Sequence, residues 1–245
     1  YYHPVEYMAA LMTSVIDNPG KVAEYIYSCR QMGIKILPPD INRGVGNFSV
    51  DNGNIRYGLA AIKSIGRPVI ESIIEERKMR GEFKNLKDFM ERLSGKEVNK
   101  RTVENFIKSG AFDSLKGTRK QLMMIYIRVM DQVNQEKKYS MTGQMSLFDI
   151  VDEEQKKEFE ITLPDVGEYQ KETLLAFEKE VLGVYLSGHP LEEYEEKWRN
   201  NISATTQDFQ LDEETGVTKV RDGAKEIIGG MITSKTIKYT KKNQT

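Results

Sequence analysis

Several kinds of chemistry are scarce or missing in this 245-residue sequence. It has one cysteine, Cys29, so no disulfide can form within the chain. That usage fits a reducing, cytoplasmic setting. There are two histidines, His3 and His189; each precedes a proline, and they lie far apart in sequence. They read as chain-direction or helix-end residues rather than metal ligands. No Cys-x-x-Cys pair is present, which argues against a zinc site. No Gly-x-x-x-x-Gly-Lys loop is present, and Gly44-Val45-Gly46 lacks the third glycine and the strand–helix context of a dinucleotide site. No Asp-x-Asp pair offers the closely placed carboxylates of two-metal phosphoryl chemistry. We therefore expect no catalytic residue, metal site or cofactor in this stretch. No apolar run approaches the ~20 residues a membrane span needs. Tyr1-Tyr2-His3-Pro4 does not have the pattern of a secretory signal, and the sequence reads as a piece of something longer.

What is present is unevenly distributed charge. Overall, 36 basic groups face 37 acidic ones. Residues 56–128 hold 17 basic and 9 acidic groups, a net of +8, whereas residues 149–226 hold 9 and 21, a net of −12. A basic block followed by an acidic one indicates separate units with separate tasks, and the basic block suits a polyanion.

The periodicity predicts a mainly α fold. Pro4 opens a first helix, Asn18-Pro19 caps a second that ends at Gly33, and Pro38-Pro39 forbids further helix. Phe48–Val50 and Ile55–Tyr57 flank Asp51-Asn52-Gly53-Asn54, a short β-hairpin. Helices follow around Leu59–Ile62, from Pro68, around Leu86–Leu93, from an Asn99 cap to Gly110, and over 119–135. Residues 136–164 lack helical period and read as a linker. A connecting helix is expected from about Val166 to Leu186, and a strand-rich unit from Glu226 that cannot be completed within the sequence.

Two stretches carry chemistry. In Gly58-Leu59-Ala60-Ala61-Ile62-Lys63-Ser64-Ile65-Gly66-Arg67-Pro68, a very short turn joins two helices. Such a turn presents backbone N–H groups at a helix N-terminus, where anions are favoured. Gly66 permits close approach, and Lys63 and Arg67 add positive charge. An ordinary helical hairpin also fits these residues; the basic surroundings favour a sequence-independent grip on DNA phosphates at Lys63, Ser64, Ile65, Gly66 and Arg67. Lys100 and Arg101, beside the Asn99 cap, form a second candidate contact. The other stretch is Gln144-Met145-Ser146-Leu147-Phe148, an apolar pair in a polar segment. Leu147 and Phe148 either fold back on their own domain or plug a partner's pocket, with Gln144 bonding its rim.

Longer blocks resemble a known family. Tyr2-His3-Pro4-Val5-Glu6-Tyr7-Met8-Ala9-Ala10-Leu11, Met32-Gly33-Ile34-Lys35-Ile36-Leu37-Pro38-Pro39-Asp40-Ile41-Asn42 and Tyr57–Lys63 resemble the PHP-containing alpha subunits of bacterial DNA polymerase III. So do Val98–Arg101, Ser109–Asp113 and Leu182–Pro190, in the family's order.

The resemblance implies five regions: the end of the fingers at 1–57, a helix-hairpin-helix region at 58–135 and a linker with a clamp-binding motif at 136–164. A connecting helix at 165–200 and the truncated start of an OB domain at 220–245 complete them. It implies that Gln144, Leu147 and Phe148 dock on a sliding clamp. The implied partners are double-stranded DNA, the clamp, other replicase subunits and single-stranded template through a complete OB domain. The implied parent is a DNA-directed DNA polymerase using Mg2+, whose catalytic carboxylates lie elsewhere, so this stretch alone is expected to be inactive. The family usually has glycine where this chain has Ser64. The competing expectation is a helical interaction scaffold that never touches DNA.

Overall fold

The computed structural model describes residues 2–95, 98–142, 161–212, 216–232 and 235–237. Two compact units divide the chain at Gly188/His189.

The first unit is mainly helical. Helices α1 (Pro4–Ser14) and α2 (Pro19–Gln31) both begin at a proline, which loses nothing by lacking an N–H in a first turn. The Asn18 side chain accepts from Lys21 N–H and caps α2. Three short strands follow: β1 (Ile36–Leu37), β2 (Ser49–Asp51) and β3 (Asn54–Arg56). Their order is β1-β3-β2, with β2 antiparallel and β1 parallel to β3. Asn52 and Gly53 both take positive φ, 52° and 75°, as a two-residue hairpin turn requires. Arg56 is buried and ties the hairpin with bonds of 2.8 and 2.6 Å to Asp51 and one of 2.9 Å to the Pro38 carbonyl.

A 3-10 turn (Leu59–Ala61) leads into α3 (Arg67–Arg80), α4 (Leu86–Arg92), α5 (Lys100–Ser109) and the long α6 (Arg119–Thr142). α7 (Lys171–Leu182) closes the unit. One continuous apolar cluster runs from Met8 to Val184, so no break in packing separates residues 1–57 from 58–135. Its centre is aromatic. Phe89 meets Phe83, Phe106 and Phe112 at centroid distances of 5.2, 6.0 and 4.9 Å. This knot fixes α4 against α5 and hence fixes the N-terminus of α5.

Three helix ends differ from the sequence expectation. α6 continues to Thr142 rather than stopping at 135, seven residues into the expected linker. α7 begins at Lys171 and ends at Leu182, not 166 and 186. Its start is delayed because Glu168 is used elsewhere: the carboxylate accepts from the Arg119 and Lys120 N–H groups at 2.9 and 3.1 Å and caps α6. Its end is set by Gly183 in the left-handed region, φ 78°, where an added Cβ would lie 2.8 Å from Pro19.

The second unit holds α8 (Glu195–Asn201) and two 3-10 turns, Glu192–Tyr194 and Thr206–Phe209. The strand expected from Glu226 is absent among the described residues. Residues 226–232 are extended in sequence character but bond only to isolated groups of residues 198–204. Ser203 N–H donates to the Ile227 carbonyl at 2.9 Å, and Trp198 Nε1 to the Gly229 carbonyl at 2.8 Å. A strand needs a neighbour to form a ladder, and no second strand runs beside this segment among the described residues.

Candidate nucleic-acid interface

The turn before α3 is anchored by apolar residues and open at its tip. Leu59, Ile62 and Ile65 are buried on one side, and Val69, Ile70 and Ile73 of α3 on the other. Between these anchors Lys63, Ser64, Gly66, Arg67 and Pro68 are exposed. Ser64 sits at φ 64°, a left-handed conformation unusual for a residue with a Cβ. That bend lets the chain reverse in so few residues.

Backbone donors decide whether such a turn can take an anion. Lys63 N–H is used by the Val181 carbonyl at 2.9 Å, and Ile65 N–H by the Ile62 carbonyl at 3.3 Å. Among the described residues, the N–H groups of Ser64, Gly66 and Arg67 have no acceptor within the protein. They stand where the positive end of the α3 dipole lies. Gly66 itself is extended, φ −78° and ψ 149°, so a side chain would not strain its backbone.

The second candidate contact lies beside the first. Asn99 caps α5 by accepting from Thr102 N–H at 3.0 Å. Lys100 and Arg101 are exposed; Lys100 reaches Asp131 only at 3.8 Å. A groove of about 600 Å³ is lined by Ser64, Gly66 and Val69 from one side and by Gly95, Val98, Asn99 and Thr102 from the other. Two helix N-termini, distant in sequence, thus share one open groove. Gly95, Val98 and Thr102 were not singled out from sequence; only proximity to the Asn99 cap could have suggested them.

Behind the turn stands a brace that the sequence did not reveal. The C-terminal end of α7 packs against residues 57–63. Tyr57 O–H donates to the Leu182 carbonyl at 3.1 Å, and Lys63 Nζ donates to the Glu180 carbonyl at 2.6 Å. Burial pushes the Tyr57 phenol well above its ordinary range. Lys108 bonds the Glu180 carboxylate at 2.8 Å. The Lys63 ammonium is therefore engaged by α7, although the side chain remains at the surface.

Other residues noted in the sequence stand apart. Cys29 is fully buried, and desolvation raises its thiol pKa, which fits a structural role. Gln144, Leu147 and Phe148 lie outside the described residues. Among the described residues, no three His, Cys, Asp or Glu side chains group so as to hold a metal ion. Nor is any described helix long and apolar enough to cross a membrane.

Comparison with known proteins fits this geometry. The helix-hairpin-helix motif family matches residues 33–122, which include the turn and both helix N-termini of the groove. The DNA polymerase III subunit alpha of Mycobacterium leprae is 41% identical over 186 residues, covering 76% of this chain and 16% of the relative. That of Escherichia coli K12 is 40% identical over 194 residues, 79% and 17%. That of Saccharopolyspora erythraea is 36% identical over 240 residues, 94% and 19%. The chain belongs to the bacterial DNA polymerase III alpha-subunit family. It spans less than a fifth of the length of these relatives. The groove falls inside the segment of this chain that matches the helix-hairpin-helix motif.

Proposed function

We propose that this chain is a DNA-gripping portion of a replicative DNA-directed DNA polymerase, holding duplex DNA by its phosphates. The observation that carries the reading is the shared groove, lined by Ser64 and Gly66 of the turn and by the capped N-terminus of α5, beside Ser64, Gly66 and Arg67 amides that have no acceptor among the described residues. Backbone N–H groups and helix dipoles recognise phosphate without reading bases, so binding is independent of sequence. Arg67, Lys100 and Arg101 supply mobile charge around the groove, while Lys63 acts chiefly through the turn it holds. The family membership supports assigning Mg2+-dependent nucleotide addition to other parts of the polymerase.

Fluorescence anisotropy with two unrelated duplexes tests this. Both bind with similar affinity, and log K falls linearly with log salt, by about 0.9 per phosphate neutralised. Arg67→Glu weakens both duplexes alike and makes the slope shallower. Absence of duplex binding at low salt would instead favour the interaction scaffold.

Gln144, Leu147 and Phe148 dock on the sliding clamp and so contribute processivity. Support for this is the apolar pair in a polar stretch between α6 and Ile161, together with the family membership. Leu147→Ala combined with Phe148→Ala abolishes clamp capture and leaves the helical circular dichroism unchanged; retained capture counts against it. The same membership supports reading residues 1–57 as the end of the fingers and 220–245 as the opening of an OB domain. Through that domain the parent reaches single-stranded template, and it works among the other replicase subunits.

A further inference from the structure

Asn105 lies on α5 among the apolar residues Val103, Phe106 and Ile107, and it is only 7% exposed. Its side-chain Nδ2 donates to the Lys63 carbonyl at 2.7 Å. The same Lys63 gives its N–H to the Val181 carbonyl and its ammonium to the Glu180 carbonyl. The residue immediately before the strained Ser64 is thus fixed at its carbonyl, amide and side chain, from two different helices.

A buried carboxamide in an apolar face is costly unless bonded, and this bond crosses from one half of the groove to the other. α5 supplies the Asn99–Thr102 wall, and the turn supplies the Ser64–Val69 wall. Nothing else in α5 makes a side-chain hydrogen bond to the turn among the described residues. A rigid spacing matters here because phosphates along a duplex are themselves evenly spaced. Two anion sites act on one duplex only when their separation is held.

We propose that Asn105 is a positioning residue that locks the Lys63–Arg67 turn to α5, so that the two helix N-termini grip DNA phosphates as one clamp. The inference rests on the duplex-binding reading above. Asn105 touches no DNA; it sets the carbonyl of Lys63 and thereby the direction of the next three amides. Losing the bond frees the turn and removes its phosphate contact while the α5 contact persists.

Asn105→Asp keeps the shape of the side chain and removes the donor. In the 245-residue chain, its slope of log K against log salt becomes shallower by about 0.9, the value of one phosphate. Over a four-fold rise in salt, its affinity then falls ~3.5-fold less than that of the unsubstituted chain. Ile107→Val, a core change on the same helix that removes no hydrogen bond to the turn, leaves the slope alone. A merely structural Asn105 would lower the folded fraction and leave the slope of the folded molecules unchanged; that result overturns the proposal. Should Asn105→Asp not fold, the unsubstituted chain still decides the matter by NMR. On titration with duplex, the Asn105 side-chain amide signals move together with the Gly66 and Arg67 amides, and stationary Asn105 signals overturn the proposal. If the unsubstituted chain shows no salt-dependent duplex binding at all, it is the DNA reading that fails.

Discussion

Ser64 occupies a conformation that suits glycine better, at φ 64°. For a residue with a Cβ, the left-handed region costs roughly 1–2 kcal/mol. Replacing it by glycine removes that strain but adds freedom to the unfolded chain, which offsets roughly 0.5–1 kcal/mol. Ser64 is exposed and its hydroxyl makes no hydrogen bond within the protein among the described residues, so little else is lost. Ser64→Gly should therefore stabilise the fold by about 0.5 kcal/mol. For a chain of this size that is a rise in Tm of ~1–2 °C. Ser64→Val should go the other way, by about 1–2 kcal/mol, because a β-branched side chain is least tolerant of positive φ. Ser64→Asn should be nearly neutral, since asparagine enters this region more readily. Thermal denaturation followed by circular dichroism gives the order glycine above serine above valine. Duplex affinity of Ser64→Gly should be equal or tighter, because the backbone then approaches phosphate without a side chain. A clear drop in Tm for Ser64→Gly, or valine outranking serine, would refute the strained-turn reasoning.

Gly66 makes the opposite case. Its backbone is ordinary, and an added Cβ meets nothing nearer than Pro68 Cδ at 3.6 Å, so Gly66→Ala should keep or slightly raise Tm while its methyl group at the groove weakens duplex binding severalfold in anisotropy. Gly110 ends α5 at φ 80°, and a Cβ there would collide with the Arg119 guanidinium, which is bonded to Asp113 at 2.7 Å. Gly110→Ala should lower stability by more than ~1 kcal/mol in urea unfolding, from backbone strain alone. Cys29 and Tyr57 are both held neutral by burial, with folded pKa values above their unfolded ones. Their contribution is intact below the unfolded thiol value of about 8.5 and is lost as pH climbs beyond it and through the phenol range near 10. The urea midpoint should fall between pH 7.5 and 10.5, and a rising midpoint would contradict this.

Local signals carried the helical part of the fold. Asn18-Pro19, Asn99 and Gly110 act at the very helix ends where their chemistry belongs, because capping is a property of neighbouring residues. Asn52-Gly53 made the hairpin readable for the same reason. Strand β1 was not readable: it is two residues long, and it exists only because Ile36 and Leu37 pair with Ile55 and Arg56. The end of α7 was misplaced because the Gly183 stop was weaker in the sequence than Gly188-His189-Pro190. The candidate site divides likewise. The turn at Ser64–Arg67 could be found from its spacing. The brace from Val181 and Glu180, and the Asn105 bond, join residues 42 to over 100 positions apart. The one available hint was a row of polar residues, Thr102, Asn105 and Ser109, on the buried face of α5.

Hydrogen–deuterium exchange of the whole chain, with and without a random-sequence duplex at low salt, tests the central claim most directly. Duplex should slow exchange at Ser64, Gly66 and Arg67 and at the first turn of α5, with the effect fading as salt is raised. Protection confined to other surfaces, with the Ser64–Arg67 amides exchanging as freely as before, would contradict the account.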